Sequence, residues 1–64
     1  MDEYVEIDLE IIRITDLAIL FTDGDKEEVW IPKELIGNLD DDWGEGDTES
    51  IAIPIWLAEK EGLV

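Results

Sequence analysis

Sixty-four residues carry nineteen Asp and Glu against four Lys and Arg, a formal net charge of -15, and contain neither cysteine nor histidine. That balance excludes a disulfide framework, a thiolate metal site and any histidine-based acid–base or pH-switch chemistry. With 45% hydrophobic residues the chain is too apolar for an acidic disordered tail, and its length allows one domain, residues 1–64.

The first element runs over residues 5–14. Val5, Ile7, Leu9 and Ile11 share one parity and Glu6, Asp8 and Glu10 the other, the period of a half-buried strand. The alternation slips at Ile11-Ile12, which predicts a bulge or a sharp twist, and Thr15-Asp16 is the expected turn. Leu17–Phe21 is apolar on both parities, as a central strand covered on both faces would be. Asp23-Gly24-Asp25 is a hairpin signal, returning into a strand from about Glu27 to Ile31 with Val29 and Ile31 on one side and Glu28 and Trp30 on the other. Trp30, on the opposite parity, is expected in the core or half-buried.

Two later segments share one punctuation: Trp30-Ile31-Pro32 leading to a helical turn ending at Gly37, and Ala52-Ile53-Pro54 leading to a helix of about two turns ending at Gly62. Each proline suits a first helical position and each glycine a left-handed stop, and Leu63 is placed to fold back onto the second helix. Trp56 on that helix is expected to pack into the sheet. Residues 37–49 read as an acidic loop and Ser50–Ile53 as a short fourth strand. The expected fold is α+β: a small twisted antiparallel sheet, a three-strand meander plus the fourth strand, with a C-terminal helix. An SH3-like half-barrel is one arrangement this order allows, and an uncovered sheet edge would favour a homodimer.

Several chemistries fail on the residues. In the acidic loop Asn38, Asp40, Asp42 and Glu49 fall at EF-hand ligand positions one, three, five and twelve, but Trp43 stands where the loop needs glycine and Glu45 where it needs an apolar pin. No metal site and no cofactor are expected, beyond weak calcium association. Ser50 has no histidine partner, the carboxylates are scattered, and Gly24, Gly37, Gly44, Gly46 and Gly62 are isolated, so neither a triad, a carboxylate pair nor a phosphate loop is assembled and no enzyme is expected. Arg13, Lys26, Lys33 and Lys60 are too few to track nucleic-acid phosphates directly.

The acids suit the inverse role. The outward row Glu6, Asp8, Glu10 repeats every ~6.8 Å along a strand, close to the spacing of phosphates along one nucleic-acid strand. Such a row, on a chain this negative, attracts basic protein surfaces. Asp40, Asp41, Asp42 and Glu45 add a second acidic stretch around Trp43. That tryptophan reads either as an interface anchor ringed by polar residues or as an aromatic capping the core. The longest apolar run, Leu17–Phe21, is too short to span a membrane, and Met1-Asp2-Glu3-Tyr4 is acidic where a targeting peptide would be basic. The expectation is therefore a soluble, cytoplasmic protein with no membrane partner.

At EVWIPKELI (Glu28–Ile36) and IWLAEKEGL (Ile55–Leu63) the chain resembles a set of short acidic bacteriophage and prophage proteins with EVWIPKS-like and WLAEKKGL-like segments. The resemblance spans roughly residues 11–64; the additional N-terminal strand and the long Asp-rich loop depart from it. Its motifs mark strand exits and helix ends, so it carries over no functional residue. It implies a setting, the cytoplasm of an infected bacterium, where small phage proteins inhibit host nucleases, polymerases or defence complexes. The expected function is accordingly a non-enzymatic inhibitor. It would mimic the charge of DNA and block a basic surface of a host nucleic-acid-binding protein, as anti-restriction and anti-CRISPR proteins do. The alternatives are an accessory phage protein binding through an apolar sheet face, a weak calcium-binding module, and a charge that serves only solubility or life in high salt.

Overall fold

A computed structural model describes residues 3–24 and 27–64. Its elements are β1 (Tyr4–Ile14), β2 (Ala18–Thr22), β3 (Glu28–Pro32), a 3-10 turn (Lys33–Leu35), β4 (Thr48–Pro54) and α1 (Ile55–Lys60). The strands form one antiparallel sheet in the order β3-β2-β1-β4, the expected meander with the fourth strand added beside β1. This order of pairings does not by itself make the sheet a half-barrel. The second Asp of the Asp23-Gly24-Asp25 hairpin signal lies outside the described residues. The return strand starts at Glu28, one residue later than the pattern suggested.

β1 serves two partners in succession. Tyr4 to Glu10 pair with Pro54 to Thr48 of β4, and Glu10 to Ile14 pair with Thr22 to Ile19 of β2. The register against β2 shifts between Ile11 and Arg13, so the bulge falls where the Ile11-Ile12 doublet broke the alternation. The extra residue lets both Ile11, opposite Phe21, and Ile14, opposite Ile19, keep the core side. The Thr15-Asp16 turn is closed by Thr15, whose N–H donates to the Ala18 carbonyl at 2.9 Å and whose Oγ1 accepts from the Ala18 N–H at 3.1 Å. Leu17, expected inside the second strand, belongs to this turn and is 81% exposed.

The core lies on one face of the sheet. Leu9, Ile11, Ile19, Phe21, Ile31, Ile51 and Ile53 are each almost wholly buried, contributing about 1.5–3 kcal/mol apiece by leaving water. Leu57 and Ala58 of α1, Ile36, and the half-buried Trp43 and Leu63 cover them. Trp30 and Trp56 depart from expectation, at 48% and 51% exposed. Trp30 pairs with Leu20 on the face away from the core cluster. Leu20 and Thr22 are buried on that face, so residues 19–22 of β2 are covered on both sides, as their sequence predicts. Trp30, on the outermost strand, stays half exposed. Trp56 sits one position before Leu57, about 100° round the helix from the side that docks.

The two prolines stand one step earlier than expected, as caps rather than first helical residues. Pro32 has ψ 136 and Pro54 ψ 141, both extended, so each ends its strand before the helical turn begins. Because the Lys33 and Ile55 N–H groups point into the sheet, donating to the Leu17 and Glu3 carbonyls at 2.9 Å, the preceding prolines point away from the ladder. Their missing N–H costs the sheet nothing.

The two glycines that share this punctuation in the sequence differ in the fold. Gly62 is left-handed (φ 74), and the Leu63 and Gly62 N–H groups donate to the Ala58 and Glu59 carbonyls at 2.8 and 3.2 Å. This is a Schellman closure that seats Leu63 against the core. Gly37 is not left-handed; its need for glycine comes from the Tyr4 ring, 2.9 Å from where a Cβ would stand. Gly62→Ala should lower stability by about 1 kcal/mol, since no atom obstructs the new methyl and only the backbone is strained. On a domain this small a thermal melt should show a midpoint lower by roughly 4–8 °C.

Candidate functional site

Strand alternation puts Glu6, Asp8 and Glu10 on the face of β1 opposite the core, and all three are exposed. Their partners across β4 are Ala52, Ser50 and Thr48, side chains too short to cover a carboxylate. The Ser50 hydroxyl lies 3.5 Å from Glu6 Oε1. Glu28 joins this face, since Glu10 pairs with Thr22 and Thr22 with Glu28. The solvent side of the sheet therefore carries a row of three carboxylates on one strand and a fourth, Glu28, two strands, or roughly 10 Å, away.

The loop acids lie elsewhere. Trp43 packs against the core cluster, and together with Leu39, Asp40, Asp41 and Lys33 it borders a small hollow over Ile14 and Ile19. The loop thus sits on the core side of the sheet, near the end of β1. The structure does not gather the eight residues into one patch. Asp40, Asp41 and Trp43, with Asp42 between the last two in the loop, lie on the side opposite Glu6, Asp8 and Glu10. Glu45 stands beside the end of β1 with its carboxylate on the Ile14 N–H. Trp43, half-buried, is placed as a cap on the core.

Much of the loop's polarity is spent on its own backbone. Asp40 Oδ1 accepts from the Asp42 N–H at 2.8 Å, Asp47 Oδ2 from the Gly44 N–H at 2.9 Å, and Glu45 Oε2 from the Ile14 N–H at 3.1 Å. The Ile11 N–H donates to the Asp47 carbonyl and the Gly46 N–H to the Ile11 carbonyl, at 2.8 and 2.7 Å. Segment 45–47 thereby continues the line of β4 along β1, past the bulge. Asn38, at the first EF-hand position, acts on the far side of β4. Its Nδ2 donates to the Ser50 carbonyl at 2.7 Å and its Oδ1 accepts from the Ala52 N–H at 2.9 Å, while the Gly37 N–H donates to the Ala52 carbonyl at 2.8 Å. An amide side chain and one N–H thus stand in for a fifth strand. Sequence reasoning missed this role, because the partners lie twelve and fourteen residues away.

Among the described residues no group of three or more Asp and Glu is placed to hold a metal ion, and no helix is long and apolar enough to cross a membrane. No protein-family model matches the chain, and neither a curated protein nor a solved structure matches it.

Asn38→Asp separates the structural role of this residue from a ligand role. Losing the amide donor to Ser50 should cost about 1 kcal/mol, read as a lower melting midpoint, and millimolar calcium should leave the midpoint unchanged in both proteins. A variant that calcium stabilises more than the parent would instead mark the loop as a cation cradle.

Proposed function

We propose that this is a non-enzymatic interaction protein whose acidic sheet face occupies a basic, nucleic-acid-binding surface of another protein. The observation that carries the reading is the uncovered row Glu6, Asp8, Glu10, held on a strand hydrogen-bonded to β4 along the whole row. A loop bearing the same charges would lose entropy on binding; a strand in a sheet has already lost it. The total charge of -15 extends the attraction beyond contact, to the ~8 Å over which physiological salt leaves charges unscreened.

The resemblance of Glu28–Ile36 and Ile55–Leu63 to small phage and prophage proteins supplies the setting: a host cytoplasm, with a nuclease or defence complex as the target and inhibition by mimicry of DNA charge as the mechanism. The face makes no call on a cofactor. The loop acids around Trp43, on the other side of the sheet, contribute to the long-range field and not to the same contact.

Affinity capture from a bacterial lysate at low salt, using the parent protein and a Glu6→Gln/Asp8→Asn/Glu10→Gln variant side by side, tests this. All three side chains are exposed, so the variant should melt within about 0.5 kcal/mol of the parent. The parent should retain a nucleic-acid-binding protein that the variant loses. Association of the purified pair should slow by roughly tenfold or more between low and high salt. Equal capture by both proteins, or a salt-independent rate, would refute the reading.

A further inference from the structure

The edges of the sheet are treated unequally. The far side of β4 is closed by the Gly37 N–H and the Asn38 side chain. β3 ends the sheet on the other side, and among the described residues no strand pairs with its outer edge. Because the Lys33 N–H points inward to the Leu17 carbonyl, alternation along an antiparallel strand turns Ile31 and Val29 inward too. The N–H and C=O groups of Glu28 and Trp30, and the carbonyl of Pro32, therefore face outward. β1 also faces no strand on its β2 side at Tyr4, Glu6 and Asp8, but there charged side chains guard the edge as usual. On β3 the central outward residue is Trp30, 48% exposed, and Leu17, 81% exposed, stands beside the far end of the strand.

The two ends of this edge differ in chemistry. At the Glu28 end, on the core side of the strand, a cleft of about 440 Å³ is lined by Glu27, Glu28, Val29, Glu61 and the chain around Gly62. Its lining includes the acidic residues Asp23, Glu27 and Glu61, while Glu28 borders it from the strand with its side chain on the outer face. At the Pro32 end a hollow is bordered by Leu17, Ala18 and Pro32. A strand laid along β3 would place alternate side chains beside Trp30 on the outer face and beside Val29 and the acidic cleft on the inner one.

We infer that the outer edge of β3 receives an extended, basic segment of a partner protein as an added strand. The partner's arginine or lysine would enter the cleft at Glu27 and Glu61, and its apolar residue would rest on Leu17 and Pro32. Charge selects this occupant over a second copy of the chain, since two molecules of net charge -15 repel at the same edge that a cationic strand finds attractive. The inference takes from the proposed function only that the partner is basic; its contact is a different one, made by backbone.

Three capped heptapeptides test it by hydrogen exchange and amide NMR of the intact protein. One has arginine and lysine in its first half and valine and leucine in its second; one is the same peptide N-methylated at alternate residues; one has glutamate for each basic residue. The first should slow exchange of the Glu28 and Trp30 amides by about tenfold or more while leaving Val29 and Ile31, already bonded to β2, unchanged. The methylated peptide should bind about tenfold more weakly, having lost two or more backbone hydrogen bonds, and the acidic one should not bind. The inference falls if the Glu28 and Trp30 amides are unmoved at millimolar peptide. It falls equally if methylation has no effect, or if protein concentration alone protects these amides, which would place a second copy on the edge. A peptide that shifts only Glu6, Asp8 and Glu10 would overturn the edge while leaving the acidic-face reading intact.

Discussion

Everything in this domain hangs on one strand having to serve two partners. β1 pairs with β4 through Glu10 and with β2 from Glu10 onward, so the two halves of the sheet overlap at a single residue. A regular strand could not do this and keep Ile11 and Ile14 both facing the core, because they are an odd number of residues apart. The bulge absorbs the odd residue, and the cost is a stretch of β1 that β4 no longer reaches. Segment 45–47 fills that gap, bonding Ile11 through backbone and Ile14 through the Glu45 carboxylate. A loop that reads as a sink for negative charge is thus part of the sheet's hydrogen-bonding, and its acids are placed by the bulge.

This division explains what could be read from the residues alone. The bulge was legible because parity is a local property and Ile11-Ile12 violates it openly. The helix stop was legible because Gly62 and Leu63 act within six residues of their partners. The exposure of Trp30 and Trp56 was not, since hydrophobicity says that a side chain gains by burial but not whether its neighbours in the fold cover it. Gly37 and Asn38 were misread for a related reason. Their constraints come from Tyr4, Ser50 and Ala52, residues that only the tertiary fold brings near. For the candidate site, parity sufficed for Glu6, Asp8 and Glu10. The position of the loop acids on the opposite side depended on where Trp43 packs, which no local pattern encodes.

The separation of the acids into two groups changes what the net charge means. A field is the sum over all charges, so both groups steer a cationic partner equally well at distance. Contact is different, because only residues on one face can touch one surface at once. Glu6, Asp8 and Glu10, projecting from a paired strand beside short neighbours, arrive at contact already ordered. The loop carboxylates arrive with part of their hydrogen-bonding capacity committed to Asp42, Gly44 and Ile14, and a partner would compete with those bonds. The strand face is therefore the economical place to bind, and the loop is the economical place to store charge.

The same charge bears on how a domain this small tolerates an open edge. Proteins ordinarily guard an edge strand with a lysine, a proline or a bulge aimed at its middle; here Pro32 guards only the end, and Trp30 occupies the centre. Self-pairing would have to bring two strongly negative bodies within a Debye length, where repulsion is no longer screened. Global charge can thus do what local design leaves undone, rejecting a like copy without blocking the edge sterically. A steric guard rejects every strand; an electrostatic one rejects by sign. An edge protected in this way would disfavour a second copy of the chain while leaving the strand open to a cationic one.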